Sequence, residues 1–87
     1  KELAAPKGES LLVYPNPAAQ QINLAHPKAR QGAAVVIYNA DGRKWSHTQV
    51  RKDALQSTIT IADYPAGMYI IEFRNLSGKL TSRFIKQ

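Results

Sequence analysis

The chain breaks into seven short apolar segments at fairly even intervals, each bounded by turn residues, and this rhythm leaves few architectures open to it. The segments are LLVY (residues 11–14), QINLA (21–25), AVVIYN (34–39), KWSHTQV (44–50), STITIA (57–62), MYIIEFR (68–74) and KLTSRFIK (79–86). Several alternate with period two. Ile22 and Leu24 share a face, as do Ile59 and Ile61, and Tyr69, Ile71 and Phe73. Such alternation makes one face packed and the other wet, as in antiparallel sheets. β-Branched and aromatic residues dominate the runs, which suits a pleated, half-buried surface. No stretch carries a helical stripe of useful length. Asp41-Gly42 between the third and fourth segments is a hairpin signal, because Gly accepts a positive φ and Asp tolerates one. Asn75-Leu76-Ser77-Gly78 marks a second hairpin with a slightly longer loop. Together these features predict an all-β fold, a seven-stranded antiparallel immunoglobulin-like β-sandwich. A jelly roll wants more chain, and a five-stranded OB-type barrel would leave two segments unexplained.

Eighty-seven residues make one domain at most. With 44% apolar residues the chain can bury one modest core, and its stability is expected to be a few kcal/mol. Residues 1–10 (KELAAPKGES) are polar, carry Pro6 and Gly8 and show no periodicity, so they read as a linker ahead of a domain spanning 11–87. The chain starts at Lys1 and shows no signal peptide, which suggests a fragment of a longer exported protein. The absence of cysteine excludes a disulfide framework, a thiolate zinc site and a thiol nucleophile. No apolar run approaches the ~18 residues of a membrane-spanning helix.

The net charge of +6 attracts anionic partners in principle, nucleic acid or a surface such as lipopolysaccharide. The cations are scattered, with no run longer than Arg51-Lys52, and the aromatic–basic interleaving of single-strand binders is absent. No nucleic-acid partner is expected; a weak, salt-sensitive attraction to an anionic glycolipid stays open. His26 and His47 have no ligand spacing around them and are expected as exposed residues, so no metal is expected. Ser46 and His47, adjacent on a strand, point to opposite faces and cannot form a catalytic pair. No nucleophile elbow, zinc-protease motif, phosphate loop or carboxylate pair is present, and the six acids are dispersed. No catalytic residue and no cofactor are expected. Trp45 reads as a core or sheet-face residue rather than a sugar platform.

Two proline-containing corners stand out. Tyr14-Pro15-Asn16-Pro17 ends the first strand; its prolines fix φ and remove two donors, and Pro17 holds Asn16 out of the α region. Asp63-Tyr64-Pro65-Ala66-Gly67-Met68-Tyr69 precedes the sixth strand, with Pro65 and Gly67 framing a tight turn and Gly67 in a conformation other residues dislike. The phenol of Tyr69 can pack its ring while its hydroxyl reaches a backbone group.

These corners, with Ile37-Tyr38-Asn39, Asp41-Gly42, Gly78 and the terminal Arg83-Phe84-Ile85-Lys86, resemble the type A C-terminal sorting domain of the type IX secretion system. The resemblance runs from Leu11 to Gln87. It departs at Tyr64, where the family usually has Leu, and at Gln87, where a basic or apolar last residue is more usual. It implies a seven-stranded immunoglobulin-like fold and a non-enzymatic role. Such a domain is read by outer-membrane translocation and shuttle proteins of the machine. It is then removed by a sortase-like cysteine protease, and the cargo is often joined to an anionic lipopolysaccharide. The resemblance places recognition on Gly78, Lys79, Arg83, Phe84, Ile85, Lys86 and Gln87. A terminal strand at a sheet edge can bind a partner by strand addition, or a second copy of itself. The alternative is an immunoglobulin-like carbohydrate- or protein-binding module, which would need an exposed aromatic patch or a long loop.

Overall fold

The computed structural model describes residues 11–76 and 78–87, so the expected linker lies outside the described residues. Seven strands follow one another: β1 (Leu12–Tyr14), β2 (Gln21–Ala25), β3 (Ala34–Asn39), β4 (Lys44–Gln49), β5 (Gln56–Thr60), β6 (Gly67–Asn75) and β7 (Gly78–Lys86). They form a three-stranded sheet in the order β1-β2-β5 and a four-stranded sheet in the order β4-β3-β6-β7. Every strand pairing is antiparallel. The seven-stranded sandwich read from the sequence is the observed fold.

The period-two residues meet between the sheets. Ile22 and Leu24 from β2, Ile59 from β5 and the following Ile61 face Val35 and Ile37 from β3, with Tyr69, Ile71 and Phe73 from β6 and Phe84 from β7. Phe73, Phe84, Ile37 and Ile71 are at most 1% exposed. β3 also buries Val36 on the opposite face, where it lies across from Glu72 and His47. That burial explains why its apolar run is continuous rather than alternating.

Three local expectations need correction. Positive φ in the first hairpin falls on Gly42 alone (φ 88°), not on Asp41. The Asn39 side chain caps this turn, accepting from the Asp41 and Arg43 N–H groups at 2.9 and 3.0 Å, so the loop is wider than a two-residue turn. The second hairpin is tighter than expected, since Asn75 pairs directly with Gly78. His26 is buried rather than exposed. Its ring stacks on Phe73 at 4.3 Å, its Nδ1 lies 2.8 Å from the Pro27 carbonyl and its Nε2 lies 2.9 Å from Ser57 Oγ. The Pro27 oxygen can only accept, so Nδ1 is the donor to it, while Nε2 pairs with the Ser57 hydroxyl. A polar ring is tolerated there because both nitrogens are paired.

Phe73→Ala removes a side chain that touches both sheets and the His26 ring. Its expected cost is about 3–5 kcal/mol, most of the stability of so small a domain. Urea denaturation of that variant beside Ile37→Val, expected to lose only about 0.5–1.5 kcal/mol, checks the ranking.

Candidate recognition site

The antiparallel registers give the sandwich two distinct ends. One end holds residues 15–20, the turn after β3, residues 61–66 and the C-terminus. The other holds the start of β1, residues 26–33, residues 50–55 and the β6–β7 turn. Both proline corners, Asp41-Gly42 and the terminal residues therefore gather at a single end.

The first corner leaves β1 at Tyr14, and Pro15 and Pro17 both follow cis peptide bonds. Asn16 reaches across to the last strand. Its Oδ1 accepts from the Ile85 N–H at 2.9 Å, and its Nδ2 makes a long contact of 3.5 Å with the Arg83 carbonyl. Two residues on, the buried Ala18 continues the same pattern with its own backbone. Its N–H donates to the Ile85 carbonyl and its carbonyl accepts from the Gln87 N–H, both at 2.8 Å, a parallel bridge beside Lys86. One Asn side chain offers the acceptor and the donor that a strand residue would present.

This closure corrects the open edge expected of the terminal strand. β7 is an edge strand, and backbone groups alternate in direction along a ladder. Those of Lys79, Thr81, Arg83 and Ile85 point away from β6. Asn16 and Ala18 satisfy Ile85 and Gln87, so the unpaired part of the edge is limited to Lys79, Thr81 and the Arg83 N–H.

The second corner builds the floor of the same end. Gly67 has φ 146°, which only glycine adopts without strain. Tyr69, two residues later, is buried, and its hydroxyl donates to the Pro65 carbonyl at 2.6 Å, fixing the corner to the strand it feeds. Burial pushes the Tyr69 phenol pKa up, and the neighbouring Tyr64 adds to the effect. The ring stacks on Phe84 at 5.4 Å and meets Tyr64 at 5.2 Å and Trp45 at 6.1 Å. A register shift between Ile37 and Tyr38 leaves Trp45 as the extra residue on β4. A bulge re-aims its side chain, here against Tyr64 and Tyr69, where the indole remains 41% exposed. Tyr64 packs its ring on the core and bonds Ser46 Oγ at 2.8 Å.

The other residues expected to carry recognition divide by face. Phe84 is fully buried, while Gly78, Lys79, Arg83, Ile85 and Gln87 are exposed. Lys86 is 9% exposed, and its Nζ donates to the Gln87 carbonyl at 2.8 Å, so its charge is not displayed as expected. Lys79, Arg83 and Ile85 stand on the outer face of the four-stranded sheet, opposite Arg74, Ile70 and Met68 of β6 in turn. Sequence reasoning missed the polar cluster on that face. Glu72, 7% exposed, accepts from Arg74 Nε at 2.6 Å and Tyr38 OH at 3.3 Å, with Lys79 Nζ 3.3 Å from its other oxygen. Burial alone would raise the Glu72 pKa. The bonds and charges of Arg74 and Lys79 outweigh it, and the carboxyl lies below its ordinary value of 4.5. The available signal was an acid inside an apolar strand, two residues from Arg74 and diagonal to Lys79. Among the described residues no cluster of three or more His, Cys, Asp or Glu is placed to hold a metal.

A family model described as "Secretion system C-terminal sorting domain" matches residues 12–87. A crystal structure of a DUF3244 family protein from Bacteroides vulgatus, with an immunoglobulin-like β-sandwich fold, superposes with a TM-score of 0.70. It is 21% identical, over 88% of this chain and 84% of that one, a likeness of fold. No curated protein matches the chain. Fold and motifs thus define a small immunoglobulin-like domain of a non-catalytic class. The chain belongs to the family of type IX secretion C-terminal sorting domains.

Asn16→Ala is expected to cost about 1–3 kcal/mol by leaving the Ile85 amide unpaired. Amide hydrogen exchange should show the loss of protection concentrated at Ile85 and Gln87. The depressed Glu72 pKa makes stability present above about pH 4.5, the unfolded value, and lost as pH falls through the lower folded value. Glu72→Gln should flatten that acid limb in pH-dependent denaturation.

Proposed function

We propose that the motif end of the sandwich is the surface through which the type IX translocation and shuttle proteins hold the domain. As a sorting domain of this family, the chain marks a secreted protein bound for the outer membrane or the extracellular space. In the finer reading, cargo reaches the periplasm and is captured through Arg83, Ile85 and Gln87 on the frame set by Asn16, Gly67, Tyr69 and Phe84. It then crosses the outer membrane. A sortase-like cysteine protease next cuts ahead of Leu11, and the cargo is joined to an anionic lipopolysaccharide.

One observation carries this reading. The start of β1 and the C-terminus lie at opposite ends of the sandwich. A receptor holding the motif end leaves the cargo junction clear for passage and for a protease. Closure of the edge by Asn16 supports recognition through displayed side chains and the turn surfaces rather than by pairing with Ile85.

Residues 1–87 fused to a periplasmic reporter in a type IX-competent bacterium should carry the reporter to the surface or medium. Removing residues 83–87 should leave it in the periplasm, as cell fractionation would show. Because that deletion also removes core, Arg83→Glu with Ile85→Ser tests the same surface in a folded domain. Normal export of the folded double variant would place recognition elsewhere. A wild-type fusion that stays in the periplasm would favour the carbohydrate- or protein-binding module instead.

A further inference from the structure

The end of the sandwich opposite the motifs has its own character. The three most exposed large apolar side chains among the described residues are Leu76, Leu55 and Leu12, at 74%, 64% and 59%. They are distant in sequence, yet the topology gathers them. Leu12 opens β1 opposite Ala25, the Leu55 carbonyl accepts from the adjacent His26 N–H, and Leu76 follows Asn75 at the β6–β7 turn. Asn75 ties that turn to the same loop, donating to the Lys28 carbonyl at 3.1 Å and accepting from the Arg30 N–H at 2.9 Å. The segment of residues 26–30 is thus the hub of a rim that carries all three leucines. A single exposed leucine means little; three on one rim are a feature to be explained.

The same rim is electropositive. Six of the ten Lys and Arg residues at positions 11–87 lie at this end, against two of the four carboxylates. Arg74 and Lys79 are engaged by Glu72. Lys28 is 4.0 Å from Asp53, with both side chains largely exposed, a pair that water screens. Arg30, Arg51 and Lys52 have no carboxylate among the described residues within ion-pair distance. Arg51 and Lys52 flank a cleft of about 290 Å³ lined also by Gln31, Gly32 and Gln49. That is room and chemistry for a phosphate headgroup.

Exposed leucines ringed by cations are what a protein presents to an anionic bilayer: the apolar tips enter the headgroup–acyl boundary and the cations meet lipid phosphates. A nucleic acid or a small anion would use the cations and leave the leucines in water. We propose that this end of the domain docks on an anionic phospholipid surface through Leu12, Leu55 and Leu76, with Arg30, Arg51 and Lys52 drawing it there. Docking this way turns the motif end outward and holds the start of β1 close to the membrane. The proposal stands apart from export, because it concerns the end that the receptor does not hold.

The test is co-sedimentation of the 87-residue chain with vesicles of phosphatidylglycerol and phosphatidylcholine, against phosphatidylcholine alone. Binding is expected only to the anionic vesicles, falling steeply with added salt. Arg51→Gln with Lys52→Gln should weaken it roughly tenfold or more, at about fivefold per cation. Leu55→Ser with Leu76→Ser should weaken it at unchanged charge and leave the fold intact by circular dichroism. Arg83→Gln, at the far end, should change it little. Binding that ignores the leucine variant, or that falls as much for Arg83→Gln as for one rim cation, would overturn the proposal in favour of bulk charge. Loss of vesicle binding to millimolar inorganic phosphate at constant ionic strength would overturn it in favour of a small-anion site. No binding to anionic vesicles would end it.

Discussion

The inward row of β6 organises this domain. Tyr69, Ile71 and Phe73 stand on one face of the longest interior strand, each at most 3% exposed, and each reaches a different part of the molecule. Phe73 holds the His26 ring and so the loop that links the two sheets. Tyr69 binds the Pro65 carbonyl and stacks on Phe84, joining the turn before β6 to the terminal strand after it. In a chain of 87 residues the apolar effect has little surplus over chain entropy. A few large side chains that each serve two contacts do the stabilising that a larger core would spread over many residues.

The closure of β7 by Asn16 has a different logic. The bonds join residues 67 to 69 positions apart, so they form only once the chain is nearly complete. Proline on either side keeps Asn16 from continuing β1 as a strand, and its side chain is free to do what a neighbouring strand would otherwise do. An edge left open along its whole length would offer itself to any extended chain, including unfolded cargo. Closing the terminal half and leaving Lys79 and Thr81 available confines that risk to a stretch whose side chains include a lysine. The outer-face ion cluster around Glu72 works in the same direction, since it buries an acid and holds two cations beside that open stretch.

Much of this was legible because strands declare themselves by turn residues and, in several of the seven segments, by period two. The inward set followed from parity alone: Ile22 with Leu24, Ile59 with Ile61, and the row on β6. What parity does not encode is which side chain crosses between elements. Asn16 reads locally as a corner residue, and only the register of β7 puts Ile85 within its reach. His26 reads as a loop histidine because its partners, Phe73, Pro27 and Ser57, come from three separate segments. Lys86 reads as a displayed charge, yet alternation from Phe84 places it on the packed face, and the flexible stem folds its ammonium back to the Gln87 carbonyl. Trp45 turned on a one-residue bulge, for which the sequence carries no punctuation.

An odd number of strands puts the start of the first and the end of the last at opposite poles when each successive strand reverses direction, and here seven strands do so. That parity has a mechanical consequence for a domain pulled from its two ends. Tension applied to the chain ahead of β1 enters at β1 and is resisted, if the motif end is held, along the full length of the sandwich. β1 is short and peripheral, with only three residues paired to β2. The bonds from Asn16 and Ala18 to β7 lie on the segment directly after β1. A pull on β1 therefore loads the β7 edge as well as the core against which Val13 packs. Residues 15–18 couple β1 to the terminal strand β7, and this coupling gives a physical reason for so rigid a corner to stand between them.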